Sequence, residues 1–160
     1  GRLDILVGNA GVLGPLSPLS HVRARQWDNV VAINLSADWR LIRSLDPLLR
    51  AADHGRALFA TSGAARRARP YWGPYATTKA ALEMMVRTYA AETAMTELKV
   101  NLINPGPIRT GMRAEAMPGE DPMTLSPPEA IAPAFLELLS PELDRTGSIY
   151  DWPSRRWLDI

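Results

Sequence analysis

The 160-residue sequence predicts an α/β fold with a doubly wound parallel sheet. Three short apolar runs, at 3–11, 55–63 and 98–107, each end in a turn rich in glycine or proline. Strands that are buried on both faces of a parallel sheet have this pattern. Helical patterns separate the runs, and strands that alternate with helices pair in parallel because each helix returns the chain across the sheet.

The first two elements are a strand and a long helical segment. The strand is "LDILVGNAG" (3–11), and the helical pattern after it runs from Ser20 to Ala52. Its apolar stripe consists of Trp39, Ile42, Leu45 and Leu49. Pro47 lacks a backbone N–H, so we expect it to bend this helix or end it early.

The remaining elements complete a single domain over residues 1–160. The second strand (55–63) precedes a strong helix at 73–94, in which Pro74 occupies the first turn. The later elements are a strand at 98–107, a loop at 107–126 rich in glycine, proline and methionine, a helix at 127–140 and a strand at 146–152. The predicted order is β-α-β-α-β-loop-α-β.

The amino-acid composition argues against several classes of function. The net charge of +1 gives no indication of a nucleic-acid partner. The chain has no cysteine, which excludes disulfides, a thiolate nucleophile and thiolate metal ligands. His21 and His54 have no clustered carboxylates, so no metal site is expected. No apolar run has the length of a membrane span and no signal peptide is visible, so a cytoplasmic location is expected.

Polar residues follow each of the three strands, where parallel sheets bind ligands. The first strand ends in Gly-Asn-Ala-Gly (8–11), the second in Thr-Ser-Gly (61–63) and the third in Asn-Pro-Gly (104–106). The helix at 73–94 begins soon after the second strand. We therefore expect one rim to contain Asn9, Ser62, Tyr75, Lys79 and Gly106.

Tyr75 and Lys79 lie four residues apart, on one face of the predicted helix. Lysine is rare here, since 16 of the 18 basic residues are arginine. A nearby ammonium favours the phenolate and should lower the pKa of Tyr75 towards the range of general acid–base catalysis. Ser62 is suited to hydrogen-bond a substrate carbonyl. It is not expected to be a nucleophile, because no Gly-x-Ser-x-Gly motif surrounds it.

Five motifs, in this order and spacing, resemble the short-chain dehydrogenase/reductase family over nearly the whole chain. They are the Asn-Ala-Gly turn at 9–11, Asn34 in "VAINLS", Ser62 thirteen residues before Tyr75, Tyr75-x-x-x-Lys79, and "NPGPIRT" at 104–110. The resemblance implies a Rossmann-type doubly wound sheet and an NAD or NADP cofactor.

The resemblance also implies a role for each matching residue. Tyr75 is the catalytic acid or base, Lys79 lowers its pKa and holds the nicotinamide ribose, and Ser62 orients the substrate carbonyl. Asn34 keeps a water in a proton relay behind Lys79. The residues that the resemblance assigns to the cofactor are Asn9, Ala10, Gly11, Tyr75, Lys79, Pro105, Gly106, Ile108 and Thr110.

Two features depart from the family pattern. Gly8 stands where the family usually has a second asparagine. The family's first strand and Thr-Gly-x-x-x-Gly-x-Gly loop, which cradles the pyrophosphate, are not seen. We therefore expect a truncated domain that lacks about three upstream strands and is inactive alone. The choice between NAD and NADP cannot be predicted, because the selecting residue belongs to that region.

Three functions remain open at this stage. The first is an oxidoreductase that moves a hydride between a nicotinamide cofactor and a small carbonyl or secondary-alcohol substrate, whose specificity lies in loop 107–126. The second is a catalytically silent half-domain that acts by association with a partner segment. The third, a nucleotide-sugar epimerase, is disfavoured by the short C-terminal region.

By the same resemblance, the helix at 73–94 and the one before it form the contact of a homodimer or homotetramer. The apolar residues expected to face away from the sheet on the former are Met84, Met85 and Tyr89.

The sequence leaves two interpretations open for each of several other side chains. Trp72 either lines the mouth of the substrate site or covers the start of the helix. Arg109 either contacts the substrate or a phosphate group, or contacts neither of them. The methionines of the loop, which are either a lid or filler, are Met112, Met117 and Met123. Trp152 and Trp157 are expected at a subunit contact or at the edge of the core.

Overall fold

The computed structural model describes residues 1–158 and contains a five-stranded sheet in the order β1-β2-β3-β4-β5. The strands are β1 (Ile5–Gly8), β2 (Arg56–Ala60), β3 (Lys99–Asn104), β4 (Ile149–Asp151) and β5 (Arg156–Leu158). The first four strands are parallel and β5 is antiparallel to β4. The predicted parallel α/β sheet is thus confirmed, with one added antiparallel strand.

Helices cover both faces of the sheet. They are α1 (Ala24–Val31), α2 (Ala37–Arg50), α3 (Gly73–Glu92), α4 (Gly111–Ala116) and α5 (Ala132–Leu138). A π-helical turn, Ala32–Ser36, joins α1 to α2. Four 3-10 turns lie at Leu19–His21, Gly63–Arg66, Pro122–Thr124 and Pro128–Ile131. The predicted order of elements is confirmed, and α4 and β5 are additional to it.

Two hydrophobic cores fix the sheet between these layers. The core against α2 and α3 contains Leu6, Phe59, Val100, Leu102, Leu49, Leu82, Val86 and Ala90. The core on the opposite face contains Leu58, Ile103, Ile108, Ile131, Ala134, Leu138 and Trp152. Alternate residues of one strand point to opposite faces, and each fully buried leucine contributes about 2 kcal/mol. The carboxyl ends of β1, β2 and β3 are therefore held at one rigid edge.

Pro47 does not end its helix early, contrary to that part of the sequence prediction. Helix α2 continues through it to Arg50. Proline has no backbone N–H, so α2 lacks one i→i−4 hydrogen bond, the one to the Arg43 carbonyl. Leu49 is fully buried and Arg50 pairs with Asp46 at 2.8 Å, and both contacts hold the final turn in helical conformation.

The segment predicted as loop 107–126 contains helix α4. The Thr110 hydroxyl accepts a hydrogen bond from the Arg113 N–H, which caps the helix. The Arg113 guanidinium donates two hydrogen bonds to Glu120, both at 2.6 Å. Six helical residues in a region rich in glycine and proline are too few for a periodic signal, so the helix could not be predicted from the sequence pattern.

The apolar stripe of α2 begins one residue earlier than predicted. Trp39 is 48% exposed, whereas Asp38 is only 3% exposed and occupies the core-facing position. Ile42 and Leu45 follow it at helical spacing, partly buried against the core, and Leu49 is fully buried. The Asp38 carboxylate therefore occupies the core-facing position that the sequence pattern assigns to the Trp39 indole.

Tyr89 was also predicted on the wrong face of its helix. It belongs to the core rather than to the surface with Met84, and its hydroxyl donates to Asp46 at 2.7 Å. A tyrosine can bury its ring when its hydroxyl has a partner, which Asp46 supplies.

Arg56, the first residue of β2, is buried and ties three parts of the chain together. Its guanidinium donates to the carbonyl oxygens of Ser140, Pro141, Gly55 and Glu97, at 2.7–3.2 Å. Burial lowers the pKa of Arg56, and the nearby carboxylates of Asp144, Glu97 and Glu142 oppose that effect. The Arg56 guanidinium thus connects the segment after α5 to the start of β2.

We expect Arg56→Ala to lower the free energy of unfolding by about 3 kcal/mol, because four carbonyl groups would lose a charged donor. Arg40→Ala is the matched control, since Arg40 is exposed on α2 and its loss should change stability by less than about 0.5 kcal/mol. Urea denaturation of both variants measures the difference. Equal stability of the two would contradict this role of Arg56.

Candidate active site

Tyr75 and Lys79 lie together at the carboxyl edge of the sheet, on the buried face of α3. The Nζ of Lys79 is 5.9 Å from the centre of the Tyr75 ring. It donates a 2.8 Å hydrogen bond to the carbonyl oxygen of Ala60, the last residue of β2. Ser62 follows two residues later and interacts with the Tyr75 phenol through its hydroxyl. The structure therefore brings together the three predicted side chains.

The expected lowering of the Tyr75 pKa is not found. Burial raises the pKa of Tyr75, and the interaction with Ser62 lowers it by less. Burial also lowers the pKa of Lys79, while the Asp38 carboxylate raises it. The physical reason for the correction is desolvation, which disfavours the charged form of each group and here outweighs the Ser62 hydrogen bond to Tyr75 and the Asp38 charge that acts on Lys79.

Asn34 is fully buried within the π-helical turn, a feature that often marks functional sites. Its amide forms two hydrogen bonds with Val12: the Val12 N–H donates to Oδ1 at 2.8 Å, and Nδ2 donates to the Val12 carbonyl at 2.9 Å. Nδ2 also donates to the Thr78 hydroxyl at 3.2 Å. Asn34 thus fixes the turn after β1 against α3.

Asn104 likewise holds the loops that follow β2 and β3. Its Oδ1 accepts hydrogen bonds from the N–H groups of Gly63 and Gly106, both at 3.1 Å. Its Nδ2 donates to Asp151 at 2.6 Å. Gly106 has φ of +68°, a conformation that favours glycine. One side chain therefore sets the relative positions of the loops after β2 and β3.

The residues predicted to contact a cofactor differ in their surroundings. Asn9 and Ala10 are exposed at the end of β1, and Pro105 is half-buried beside Gly106. Ile108 directs its side chain into the second core, so only its backbone can face the rim. Thr110 is exposed and caps α4.

Gly11 lies close to two site residues. A Cβ at this position would lie 3.6 Å from Asn34 Oδ1 and 3.7 Å from Lys79 Nζ. A cleft of about 740 Å³ begins here and continues between the loop after β1, α1 and α4. Residues that line the cleft include Gly11, Leu13, Arg25, Asn29, Met112 and Glu115. Tyr75 and Ser62 do not line it, so the cleft adjoins the Lys79 side of the site.

Glu83, which the sequence reasoning missed, supports the strand end that carries Ser62. It is buried one turn beyond Lys79, and its Oε1 accepts hydrogen bonds from Thr61 at 2.7 Å and Arg66 at 2.6 Å. These bonds fix the residues on both sides of Ser62. A glutamate at i+4 from the lysine was the available signal, but it equally fits an exposed helix face.

The structure also gives the surroundings of several side chains for which the sequence left two interpretations open. Trp72 packs edge-on against Tyr75, with ring centres 6.0 Å apart. Met112 lines the cleft, whereas Met123 is exposed and accepts from Arg109. Trp152 is buried in the second core, which agrees with the core-edge expectation.

Residues 1–158 contain neither a candidate membrane span nor a candidate metal site. No helix in that range is both long enough and apolar enough to span a membrane. No three histidine, cysteine, aspartate or glutamate side chains in it lie close enough together to hold a metal ion.

Sequence comparisons identify relatives of this chain. Residues 1–121 match the family model described as short chain dehydrogenase. The chain is 41% identical over 151 residues to the uncharacterized oxidoreductase YciK of Escherichia coli K12, across 94% of this chain and 60% of that protein. It is 39% identical over 119 residues to an uncharacterized NAD-dependent oxidoreductase of Mycobacterium tuberculosis, across 73% of this chain and 43% of that protein. The chain thus spans only part of the length of each relative.

Solved structures give the same result. A short chain dehydrogenase of Salmonella enterica serovar Typhi superposes with a TM-score of 0.90 at 41% identity, over 94% of this chain and 62% of that one. A short chain dehydrogenase of Shigella flexneri, solved in complex with NADP, superposes with a TM-score of 0.89 at 41% identity, over 94% and 63% of the two chains.

The buried Asp38 carboxyl predicts a stability that depends on pH. Burial raises the pKa of Asp38 from 3.8 to about 6, against the opposing effect of the Lys79 charge. A carboxyl group whose pKa is raised by folding destabilises the fold above that pKa and ceases to do so below its unfolded pKa. The cost is therefore present above about pH 6 and absent below about pH 4.

We expect Asp38→Asn to stabilise the protein at pH 8 by about 2 kcal/mol, and to have little effect at pH 4. Thermal or urea unfolding at the two pH values measures this difference. Asp28→Asn, at an exposed site on α1, should show no such dependence. Destabilisation by Asp38→Asn at pH 8 would show that the carboxylate is not a net cost.

Proposed function

The chain belongs to the short-chain dehydrogenase family, and from that membership we propose that it carries the catalytic part of an NAD(P)-dependent oxidoreductase. The reaction moves a hydride between the nicotinamide and a small-molecule carbonyl or secondary alcohol. Tyr75 donates or accepts the accompanying proton. One relative is named as NAD-dependent and another was solved with NADP, so the proposal covers either cofactor.

The observation that supports this proposal most directly is the arrangement around Tyr75. A buried ammonium lies 5.9 Å from the phenol ring, and the Ser62 hydroxyl interacts with the phenol from the end of β2. All three groups lie where parallel sheets bind ligands. A proton-transferring phenol needs a neighbouring group that stabilises its ionised form, and the Lys79 ammonium is that group.

In the direction of reduction, the Ser62 hydroxyl donates a hydrogen bond to the substrate carbonyl oxygen. Tyr75 gives its phenolic proton to the same oxygen as negative charge develops there. The carbonyl carbon gains the hydride and the oxygen gains the proton, which yields the alcohol. The Lys79 ammonium stabilises the phenolate that remains, and the reverse sequence oxidises an alcohol.

Asn34 contributes a place for a proton-relay water. Its Oδ1 accepts one hydrogen bond, from Val12, and an amide oxygen has a second lone pair. Gly11 lines the cleft, and a Cβ at this position would lie within 4 Å of both this oxygen and the Nζ of Lys79. A water there would contact both groups and would return a proton to Tyr75 by way of Lys79.

The residues around the rim fit a nicotinamide cofactor. A bound nicotinamide would supply or accept the hydride. Lys79 and Tyr75 would hold its ribose, and the backbone at 105–108 with Thr110 would contact its carboxamide. The turn at 9–11 would lie along it, where Asn9 and Ala10 are exposed and Gly11 has no side chain to fill the gap.

A second candidate function, association with a partner segment without catalysis, is favoured by one observation. Strand β1 is the edge of the sheet, and its Ile5 and Val7 are exposed. An exposed apolar edge strand can pair with another chain segment. This candidate predicts that the protein consumes no nicotinamide cofactor with any carbonyl substrate.

Two copies of the chain would associate through a groove between α2 and α3. The groove has a volume of about 500 Å³, and its lining residues are Leu35, Ser36, Trp39, Ala81, Met84 and Met85. Trp39 and Met84 are 48% and 60% exposed. Apolar side chains that face water on two adjacent helices are typical of a helix-packing interface, so we propose a homodimer or homotetramer.

Tyr75→Phe in the intact protein should lower turnover by about a hundredfold to ten-thousandfold, because the proton donor is lost and the ring is kept. NADH and NADPH oxidation, measured against a β-keto thioester, an aliphatic aldehyde and an aromatic ketone, provides the assay. Tyr71→Phe is the matched control, since Tyr71 is exposed and should leave turnover unchanged. A Tyr75→Phe variant with wild-type rate would refute the assigned role.

Met84→Glu should dissociate the oligomer, because it places a charge in the apolar groove. Light scattering after size-exclusion chromatography gives the mass of each variant. Met95→Glu is the control, at a methionine that is 98% exposed and outside the groove. A monomeric wild-type protein, or an oligomer unaffected by Met84→Glu, would contradict the proposed interface.

A further inference from the structure

The end of β4 brings a carboxylate against the amide that holds the rim. Asp151 is paired with Asn104 in the register of the two parallel strands. Its Oδ1 accepts a 2.6 Å hydrogen bond from Asn104 Nδ2. Its Oδ2 accepts hydrogen bonds from the N–H and the hydroxyl of Ser154, at 3.2 Å and 2.6 Å. Both carboxylate oxygens of Asp151 therefore have donors.

These contacts keep Asp151 ionised. Burial raises the pKa of Asp151, but the hydrogen bonds from Ser154 and Asn104, together with the Arg66 charge, hold that pKa below its usual range. An ionised carboxylate accepts hydrogen bonds and donates none. The Asn104 atom that faces it must therefore be the nitrogen of the amide and not the oxygen.

The orientation of the Asn104 amide decides what its other end can hold. With Nδ2 towards Asp151, Oδ1 accepts hydrogen bonds from the N–H groups of Gly63 and Gly106, both at 3.1 Å. The reverse orientation would set an NH₂ group against two N–H donors and an oxygen against a carboxylate. Asn104 is only 6% exposed, so little water is available to replace the lost bonds. Asp151 thus selects one of two amide orientations.

The two N–H groups belong to the loops that the proposed reaction uses. Gly63 follows Ser62 directly, so its N–H is part of the peptide group that joins the two residues. The Ser62 hydroxyl oxygen accepts from the Ala64 N–H at 3.2 Å, which leaves the hydroxyl proton for donation. Gly106 lies in the backbone segment proposed to contact the nicotinamide carboxamide. One amide oxygen therefore sets the spacing between these two loops.

Asp151 also places the turn that packs against Gly106. Its hydrogen bonds to Ser154 close the turn between β4 and β5. Pro153 lies in this turn, and a Cβ at position 106 would overlap its ring. Asp151 therefore acts on Gly106 by two routes, the Asn104 amide and the packed ring of Pro153.

We propose that Asp151 is a positioning residue, which fixes the Asn104 amide and through it the spacing between Ser62 and the loop at Gly106. Its importance for turnover rests on the proposed function, in which Ser62 holds the substrate carbonyl and the loop contacts the nicotinamide. Asp151 does not reach the reacting atoms and acts through Asn104. The spacing governs the approach of the hydride to the carbonyl carbon, and a displacement of about 1 Å can lower a rate about a hundredfold.

An exchange of polarity between the two side chains tests the proposal. In Asp151→Asn, an NH₂ group must face another donor, either at Ser154 or at the two glycines. In Asn104→Asp, two carboxylates face each other. The double variant Asn104→Asp with Asp151→Asn keeps every contact. Its new carboxylate would accept from both glycine N–H groups and from the new amide, whose oxygen would accept from Ser154.

Amide hydrogen exchange of Gly63 and Gly106, measured by NMR in the intact protein, is the first readout. Asp151→Asn should speed exchange at both by about tenfold, because the Asn104 amide then populates both orientations. The double variant should restore slow exchange. The kcat for carbonyl reduction should fall at least about tenfold in Asp151→Asn and recover in the double variant, a recovery that a general loss of stability would not give.

Asp28→Asn is the matched control, since Asp28 is exposed on α1 and should alter neither glycine exchange nor kcat. The proposal is wrong if Asp151→Asn leaves the exchange of Gly63 and Gly106 unchanged, or if the double variant does not restore it. Restored exchange without restored kcat would refute the link to turnover.

A measurement on the unaltered protein keeps the proposal testable if a variant does not fold. Gly63 and Gly106 lie outside the strands, yet their amides should exchange at least about tenfold more slowly than those of an unstructured peptide with no ligand bound. Exchange at the rate of an unstructured peptide would overturn the proposal. The exchange readout does not use turnover, so full activity of Tyr75→Phe would overturn the proposed function and leave this result intact.

Discussion

Burial of the Lys79 ammonium is the constraint on which the rest of the site depends. Taking an ammonium out of water is costly, and the surrounding residues reduce that cost in several ways. The Ala60 carbonyl accepts its hydrogen bond, and the Asp38 carboxylate opposes its charge. Two glycines make this possible, since Gly8 leaves room for Asp38 and Gly11 leaves space beside Nζ.

Side-chain amides hold the loops of the rim in place. Asn34 binds both backbone groups of Val12, and Asn104 binds the N–H groups of Gly63 and Gly106. An amide can donate and accept at once, so one side chain satisfies backbone groups that no strand or helix partner reaches. The loops after three strands are thus fixed before any ligand arrives, which is the preorganisation that the proposed proton transfer requires.

The sequence predicted the fold and the centre of the site because these depend on short-range regularities. Apolar runs that end in turns identify parallel strands, and spacing by four places Tyr75 and Lys79 on one helix face. The sequence did not predict which of two adjacent side chains faces the core, because tertiary packing determines this. Asp38 and Trp39 are adjacent, and only the contact of α2 with Gly8 and Phe59 shows which of them faces inward. Helix α4 and strand β5 were too short to give a periodic signal.

The amino-acid sequence by itself determined the order of strands and helices, the family resemblance and the convergence of Ser62, Tyr75 and Lys79 on one edge. These follow from local spacing and from the rule that ligands bind at the carboxyl ends of parallel strands. The tertiary structure decided the charge balance of the site. Burial raises the pKa of Tyr75 and lowers that of Lys79, and it sets Asp38 against the lysine. The effect of burial on a charge depends on the surrounding atoms, which a residue's place in the sequence does not specify.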